Sequence, residues 1–207
     1  MGLYSTCIFP FFLDLMLDNE AIRRERRETL APLYGSVLEI GFGTGLNLPC
    51  YPQQVAELTV IDSERMLAGR VRKRINAASM PVQQIKLDAS GRLPFDDDSF
   101  DGVATTFTLC SIGNVSAALA EIRRVLKTEG PYVFLEHGRS RDPQVAKSQD
   151  SLNPIQKIIA CGCNLNRPID RLIENAGLEI TKLERYQMSG LPRVINEAYK
   201  GMAHKYR

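Results

Sequence analysis

The sequence predicts an α/β domain built on a mostly parallel β-sheet with helices on both faces. Three observations support this fold: short apolar runs of strand length recur, helical patterns separate them, and the first run opens into a glycine-rich turn. Strands that alternate with helices become parallel neighbours because each helix carries the chain back along the sheet. The 207 residues have the length of one domain and suffice to bury a sizeable core.

The N-terminal half begins with a helical pattern over 14–31. Its dense Arg/Glu run at 23–28 is typical of a solvent-exposed, salt-bridged helix face, with phosphate binding as the alternative. The short apolar runs that follow end in glycine or aspartate and indicate buried strands. The predicted elements are strands at 37–40, 58–61 and 82–87 and a helix over 66–75.

The C-terminal half adds four strand-like segments and two helical regions. Residues 91–99 have turn chemistry, and 138–150 are polar and basic, the most loop-like part of the chain. The predicted elements are strands at 100–107, 132–135, 178–186 and 194–202, a helix at 115–127, and a helical region with proline breaks at 152–176.

Composition and charge exclude several classes of protein. Hydrophobic residues make up 44% and charged residues 24%, as in ordinary globular proteins, and a net charge of +2 is too small for a nucleic-acid binder. The five cysteines cannot all pair, which favours a reducing compartment, the cytoplasm. His137 and His204, with Cys161 and Cys163 as the one tight cysteine pair, show no zinc-ligand spacing. We therefore expect no metal ion.

The most apolar stretch of the chain is 7–17. It is too short to cross a bilayer, contains Asp14, and lacks the basic residues that open a signal peptide. The favoured interpretation is a helix that packs over the domain. Two alternatives remain open: a lid over an apolar substrate, and a shallow membrane contact that would make the protein peripheral to a membrane.

A glycine-rich turn follows the first predicted strand. Gly41, Gly43 and Gly45 alternate with other residues, so the backbone can turn tightly and a ligand can approach its N–H groups. The dinucleotide fingerprint requires glycine where Leu46 stands, which argues against a bound pyrophosphate. Ligands of such sheets bind outside the carboxyl ends of the strands, where this turn lies.

Aspartates end the next two predicted strands. The Asp62 carboxylate can accept hydrogen bonds from the ribose hydroxyls of NAD or of an adenosine ligand. Asp88 can accept one from an adenine amino group. Either aspartate alone is also a common turn or helix cap. Together with the glycine turn, the two residues predict a nucleoside-binding site.

In these segments the sequence resembles the class I S-adenosylmethionine-dependent methyltransferases. The likeness covers about 35–137 and is closest to the small-molecule branch that includes the ubiquinone and menaquinone methyltransferases. Residues 45–52 and 161–167 further resemble a subgroup that contains thiol methyltransferases and bacterial phospholipid-amine methyltransferases. The matching segments are 37–45, 60–62, 87–89, 93–103 and 121–127.

The resemblance implies a Rossmann-like, seven-stranded sheet whose last strand is antiparallel and inserted beside the fifth, with S-adenosylmethionine as the cofactor. The glycines would face its methionine part, Asp62 the ribose, Ser63 and Met66 the adenine ring, and Phe107 with Cys110 the space beneath the sulfonium. The implied cofactor-binding residues are Glu39, Gly41, Gly43, Gly45, Asn47, Asp62, Ser63, Met66, Asp88, Ala89, Phe107 and Cys110.

Methyl transfer requires no dense catalytic cluster, because the sulfonium is already a good electrophile and the protein mainly aligns the nucleophile. His137, at the end of the fifth strand, is the candidate catalytic residue, a base for a thiol or an ammonium group. The alternative is a histidine that only holds a loop, and Glu136 is equally open to a structural role. Cys161 and Cys163 offer at most two metal ligands.

The sequence thus predicts a methyltransferase whose partner is a small-molecule acceptor, an apolar or amphipathic thiol or amine that can be lipid-linked, and not a nucleic acid. The alternatives are an NAD(P)-dependent oxidoreductase and a catalytically inactive cofactor-binding module. We expect a roof over the acceptor from Phe9, Phe11, Phe12, Leu15, Met16, Ile155, Ile158 and Ile159. The predicted single domain divides into an N-terminal cap (1–34), a cofactor-binding core (35–137), a helical insertion (138–177) and C-terminal strands (178–207).

Overall fold

One seven-stranded sheet organises the protein in the computed structural model, which describes residues 9–63 and 67–206. The strands are β1 (Gly35–Ile40), β2 (Val55–Asp62), β3 (Val82–Lys86), β4 (Gly102–Thr106), β5 (Tyr132–His137), β6 (Leu178–Gln187) and β7 (Glu197–Lys205). Their order across the sheet is β3-β2-β1-β4-β5-β7-β6. The first five are parallel, and β7 runs antiparallel to both β5 and β6. The predicted α/β fold with an antiparallel last strand beside the fifth is confirmed.

Six α-helices accompany the sheet within the described residues. They are α1 (Phe9–Leu17), α2 (Glu20–Leu30), α3 (Ala68–Asn76), α4 (Val115–Val125), α5 (Pro143–Ile159) and α6 (Ile169–Asn175). The helix predicted over 14–31 is two helices, because Asn19 caps α2 by accepting a hydrogen bond from the backbone N–H of Ile22 at 3.0 Å. No helix in the described part of the chain is long and apolar enough to cross a membrane.

Helices cover both faces of the sheet because its strands present apolar side chains alternately to two cores. In β1, Leu38 and Ile40 belong to a core shared with α4 and α6, whereas Val37 belongs to a core shared with α2 and α3. Phe134 and Val133 of β5 divide in the same way. A parallel sheet buried on both faces leaves its carboxyl-end edge for ligands.

The loop predicted over 138–150 is wrong from residue 143 onward, where α5 begins. Asp142 caps this helix by accepting hydrogen bonds from the N–H groups of Gln144 and Val145, and Pro143 occupies the first turn, where its missing N–H costs nothing. The predicted break at Pro154 is also wrong, since α5 continues through it. One polar residue of this segment, Gln149, is buried and bonds three backbone groups.

Strand β7 begins at Glu197, three residues later than predicted. Along β7, polar exposed and apolar buried residues do not simply alternate, because Lys200 is buried and paired with carboxylates from two other elements. The ammonium group lies 2.7 Å from Glu25 and 2.9 Å from Glu28 of α2, and 3.1 Å from Glu184 of β6. These ion pairs form only in the folded chain, so the strand boundary could not be predicted from local pattern.

Candidate functional site

The glycine turn after β1 lies at the carboxyl-end edge of the sheet. Gly41, Gly43 and Gly45 have φ angles of +80°, +55° and +81°, a region that side chains disfavour. At Gly41 a Cβ atom would stand 2.0 Å from Oγ1 of Thr108, so this glycine is required for packing. At Gly43 no heavy atom of the described residues lies within 4 Å of a Cβ position. The backbone at Gly43 is therefore open to a ligand.

Asp62 is the last residue of β2 and lies beside this turn, and Asp88 follows β3 by two residues. The Asp62 carboxylate accepts a hydrogen bond from the N–H of Gly43 at 2.7 Å, which joins the two predicted cofactor contacts directly. Asp88 is exposed and accepts one from the N–H of Ser90 at 2.8 Å. Ser63 is also exposed and Ala89 is buried. The predicted adenine contact of Met66 lies outside the described residues.

Glu39 and Asn47 lie beneath the turn in a buried polar network. Glu39 is 1% exposed and accepts hydrogen bonds from the Tyr51 hydroxyl at 2.6 Å and from the Asn47 amide at 2.9 Å. Burial raises the pKa of Glu39 to about 7, against the effect of these hydrogen bonds. The same Asn47 amide donates to the Thr106 hydroxyl at 2.9 Å. The network fixes the glycine turn to β4, and contact of either residue with the cofactor stays a prediction.

Arg26 completes this network, contrary to the prediction that the Arg/Glu run is solvent-exposed. It is 4% exposed and donates hydrogen bonds to Asn47 at 2.6 Å and to Thr106 at 3.1 Å. Its guanidinium also lies over the ring of Phe107, 5.4 Å from the centroid. The neighbouring Arg24 keeps the predicted surface pairing, with Glu28 at 2.9 Å.

The turn after β4 contains Phe107 and Cys110, both predicted beneath the sulfonium. Phe107 has a φ of +53°, a strained value for a bulky residue of the kind that clusters at functional sites. One carboxylate oxygen of Glu136 accepts hydrogen bonds from the N–H groups of Thr108 and Leu109 at 2.9 and 3.0 Å. Burial raises the pKa of Glu136 to about 8. Glu136 thus anchors the turn that carries the predicted cofactor floor.

His137 is buried at the end of β5 beside two cysteines. Cys110, His137 and Cys163 each place one ligand atom within 4.8 Å of the others. Within the described residues the Nε2 atom of His137 has no hydrogen-bond partner. The expectation that the Cys161–Cys163 segment has no partner cluster is wrong for Cys163, whereas Cys161 is exposed. Asn164 joins the Cys163 segment to the turn of Cys110, since its backbone N–H and its side-chain amide both donate to the Cys110 carbonyl at 2.8 Å.

Helix α1 adjoins the glycine turn through a buried carboxylate. Asp14 is buried, accepts a hydrogen bond from the Thr44 hydroxyl at 2.5 Å, and pairs with Arg74 at 2.7 Å. Leu15 and Met16 are 67% and 51% exposed. The favoured interpretation of 7–17 as a helix packed over the domain does not hold for these two side chains, and 1–8 lie outside the described residues.

Comparisons with known proteins agree with this geometry. The methyltransferase domain family matches residues 38–134. The chain is 27% identical over 179 residues to phosphatidylethanolamine N-methyltransferase of Cereibacter sphaeroides, which covers 84% of each chain. It is 30% identical over 173 residues to thiol S-methyltransferase TMT1B of Rattus norvegicus, which covers 80% of this chain and 70% of that protein.

A solved structure shows the same fold. Burkholderia thailandensis 1,6-didemethyltoxoflavin-N1-methyltransferase, with bound 1,6-didemethyltoxoflavin and S-adenosylhomocysteine, matches with a TM-score of 0.67 at 15% identity, over 96% of this chain and 84% of that one. The glycine turn is open at Gly43, and the Asp62 carboxylate is bonded to it. Together with this geometry, the relatives show that the chain belongs to the class I S-adenosylmethionine-dependent methyltransferases.

Proposed function

We propose that this methyltransferase acts on a thiol or an amine of a small apolar or amphipathic molecule. The observation that carries the proposal is the set of large apolar side chains left exposed on two helices outside the cofactor motifs. On α1 these include Leu15, and on α5 Ile158 is 80% exposed. The names of the two relatives point to a thiol and to a lipid amine as acceptors, which supports the same choice.

The exposed side chains suit an apolar acceptor body because covering them removes apolar surface from water, worth about 25 cal/mol per Å². The structure describes those of Phe11, Leu15 and Met16 on α1 and of Ile155, Ile158 and Ile159 on α5. Monomeric proteins leave few large apolar groups exposed together unless they contact a ligand, a partner or a membrane. A membrane contact through the same side chains is the second candidate, and it would suit a lipid-linked acceptor.

The residues that we propose to hold the cofactor are those around the glycine turn. When bound, the cofactor supplies an electrophilic methyl group on a sulfonium sulfur. Gly43 offers open backbone, and Asp62, already bonded to Gly43, is placed to meet the ribose. Phe107 and Cys110 would lie beneath the sulfonium, and Asp88 with Ala89 at the adenine edge.

We propose His137 as the catalytic residue on the acceptor side. Its Nε2 atom is buried and unpaired among the described residues, and it belongs to the strand adjacent to β4. This nitrogen can take the proton that an acceptor thiol or ammonium group loses. Glu136 stays a positioning residue, because its carboxylate is bonded to the backbone of the β4 turn.

Formation of S-adenosylhomocysteine over a matched acceptor panel tests the proposal. The panel contains thiols and amines, and each reactive group is attached once to a long alkyl chain and once to a polar chain of equal length. We expect kcat/KM to be at least tenfold higher for the alkyl compounds. The double variant Leu15→Gln, Met16→Gln should raise their KM and leave cofactor affinity unchanged, whereas Leu183→Gln, at an exposed position on β6, should change neither.

Two outcomes would contradict the proposal. Equal kcat/KM for alkyl and polar acceptors would mean that no apolar body is recognised. Cofactor binding without turnover of any thiol or amine would favour the inactive binding module. If instead the double variant lost turnover only with acceptors embedded in vesicles, the exposed side chains would contact the membrane rather than the acceptor.

A further inference from the structure

A group of metal-ligating side chains meets at the carboxyl ends of β4 and β5. The sulfur atoms of Cys110 and Cys163 and a ring nitrogen of His137 all lie within 4.8 Å of one another. His137 is 6% exposed, and its Nε2 atom has no hydrogen-bond partner in the described chain. A buried polar atom without a partner is costly, so this nitrogen is available to a ligand.

The three side chains come from separate segments that hydrogen bonds hold in place. The segment of Cys163 is fixed to Cys110 because the backbone N–H and the side-chain amide of Asn164 both donate to the Cys110 carbonyl at 2.8 Å. The turn that carries Cys110 is fixed from below by the buried Glu136 carboxylate. His137 is the next residue of β5. Such outer contacts are what orients the ligands of a metal site.

The ligand set selects the kind of ion. Two thiolates and one imidazole suit Zn²⁺, whereas Ca²⁺ and Mg²⁺ prefer oxygen ligands. Three protein ligands leave a tetrahedral ion with one open position, which is the pattern of catalytic rather than structural zinc sites. The Arg167 guanidinium donates a hydrogen bond to the carbonyl of Leu109, the residue before Cys110.

We propose that Cys110, His137 and Cys163 bind one Zn²⁺ ion whose open position takes the sulfur of a thiol acceptor. This inference rests on the proposed function and narrows its acceptor to thiols. Each cysteine releases a proton to solvent when the ion binds. His137 is then a ligand, and the acceptor loses its S–H proton to solvent on coordination instead of to the imidazole.

Methyl transfer at this site balances without an oxidant or a reductant. The electron pair of the coordinated thiolate forms the new sulfur–methyl bond. The bond between the methyl carbon and the sulfonium sulfur breaks, and its electron pair stays on that sulfur. The products are a neutral methyl thioether, which is a weaker zinc ligand than the thiolate, and S-adenosylhomocysteine. An amine acceptor would bind the ion less tightly than a thiol, because zinc at this site prefers thiolate sulfur.

Cobalt(II) is the probe that tests the site in the full-length, metal-free protein. We expect titration to give thiolate-to-cobalt charge-transfer absorption and tetrahedral visible bands that saturate at one ion per chain and disappear when Zn²⁺ is added. Cys110→Ser, Cys163→Ser and His137→Gln should each weaken the affinity more than about a hundredfold, since even outer contacts contribute ten- to a hundredfold. Cys161→Ser, on the same segment but exposed, is the matched control and should bind normally. Thermal melts verify that each variant is folded.

The spectra also separate this inference from the proposed function. A thiol acceptor should shift the cobalt bands, and an amine of the same body should not. Absent or octahedral bands in wild type, or an equal loss in Cys161→Ser, would overturn the zinc site. Thiol methylation that persists in metal-free protein with a chelator would also overturn it and leave the proposed function standing. Cobalt binding without methylation of any acceptor would support the site and contradict the proposed function.

Discussion

Gly43→Ala separates a ligand-binding role of the glycine turn from a purely structural one. The added methyl group meets no heavy atom of the described protein within 4 Å, so its structural cost is the positive φ alone. For a non-glycine residue that cost is about 1–2 kcal/mol, which in a chain of this length corresponds to a Tm lower by roughly 2–8 °C. Gly190, in the turn between β6 and β7, has a φ of +80° and equally open surroundings. Gly190→Ala should therefore lose similar stability.

Binding of S-adenosylhomocysteine should distinguish the two variants. The methyl group at residue 43 occupies the space through which a ligand reaches the backbone, so we expect affinity to fall more than about tenfold, a change above 1.4 kcal/mol. Gly190→Ala should bind as wild type does. Isothermal titration calorimetry measures the affinity, and differential scanning calorimetry measures Tm. Wild-type affinity in Gly43→Ala would refute the assignment of this turn to the cofactor, whatever its stability.

Three further changes test the network around the turn. Asp62→Ala should weaken S-adenosylhomocysteine binding about ten- to a hundredfold by removing a charge-assisted acceptor worth about 1.5–3 kcal/mol, as measured by calorimetry. Arg26→Met should lower the free energy of unfolding in urea by about 3–5 kcal/mol because it breaks a buried polar network, whereas Arg24→Met, which breaks an exposed ion pair, should cost less than about 1 kcal/mol. The pKa of Glu39 is raised from 4.5 to about 7, so the folded state binds more protons than the unfolded state between these values, and stability falls as pH rises through that window. Glu39→Gln should flatten this part of the pH dependence of urea midpoints, and an unchanged slope would assign it to other groups.

The cofactor edge could be predicted from sequence because its signals are local. The glycines directly follow β1, Asp62 is the last residue of β2, and Asp88 lies two residues after β3, so each signal adjoins the strand that positions it. The alternation of strands and helices predicted the mostly parallel sheet, and the family resemblance implied the antiparallel last strand beside the fifth. The positive φ angles at Gly41 and Gly43 agree with the tight turn that the alternating glycines predicted.

Arg26 and Cys163 show why the rest was missed. In an Arg/Glu run every arginine looks solvent-exposed, and only the folded chain places Asn47 and Thr106 within reach of one of them. Cys163 is joined to Cys110 through Asn164, across more than fifty residues, and no spacing rule connects them. Both contacts join polar groups that are distant in the sequence and meet only in the folded chain, so hydrophobic periodicity and secondary-structure propensity cannot predict them.

Helix α1 shows how one buried carboxylate determines where apolar surface is left. Burying the side of the helix that carries Leu15 and Met16 would gain about 1.5–3 kcal/mol for each side chain. It would also turn Asp14 away from Thr44, Arg70 and Arg74, leaving these partners without it. Although burial acts against it, the hydrogen bonds from Arg74 and Thr44 hold the pKa of Asp14 below its ordinary value, so the anchor stays charged at neutral pH. The same anchor that ties α1 to the glycine turn therefore leaves Leu15 and Met16 exposed. The apolar surface that the proposed function assigns to the acceptor is thus fixed in position by the turn assigned to the cofactor.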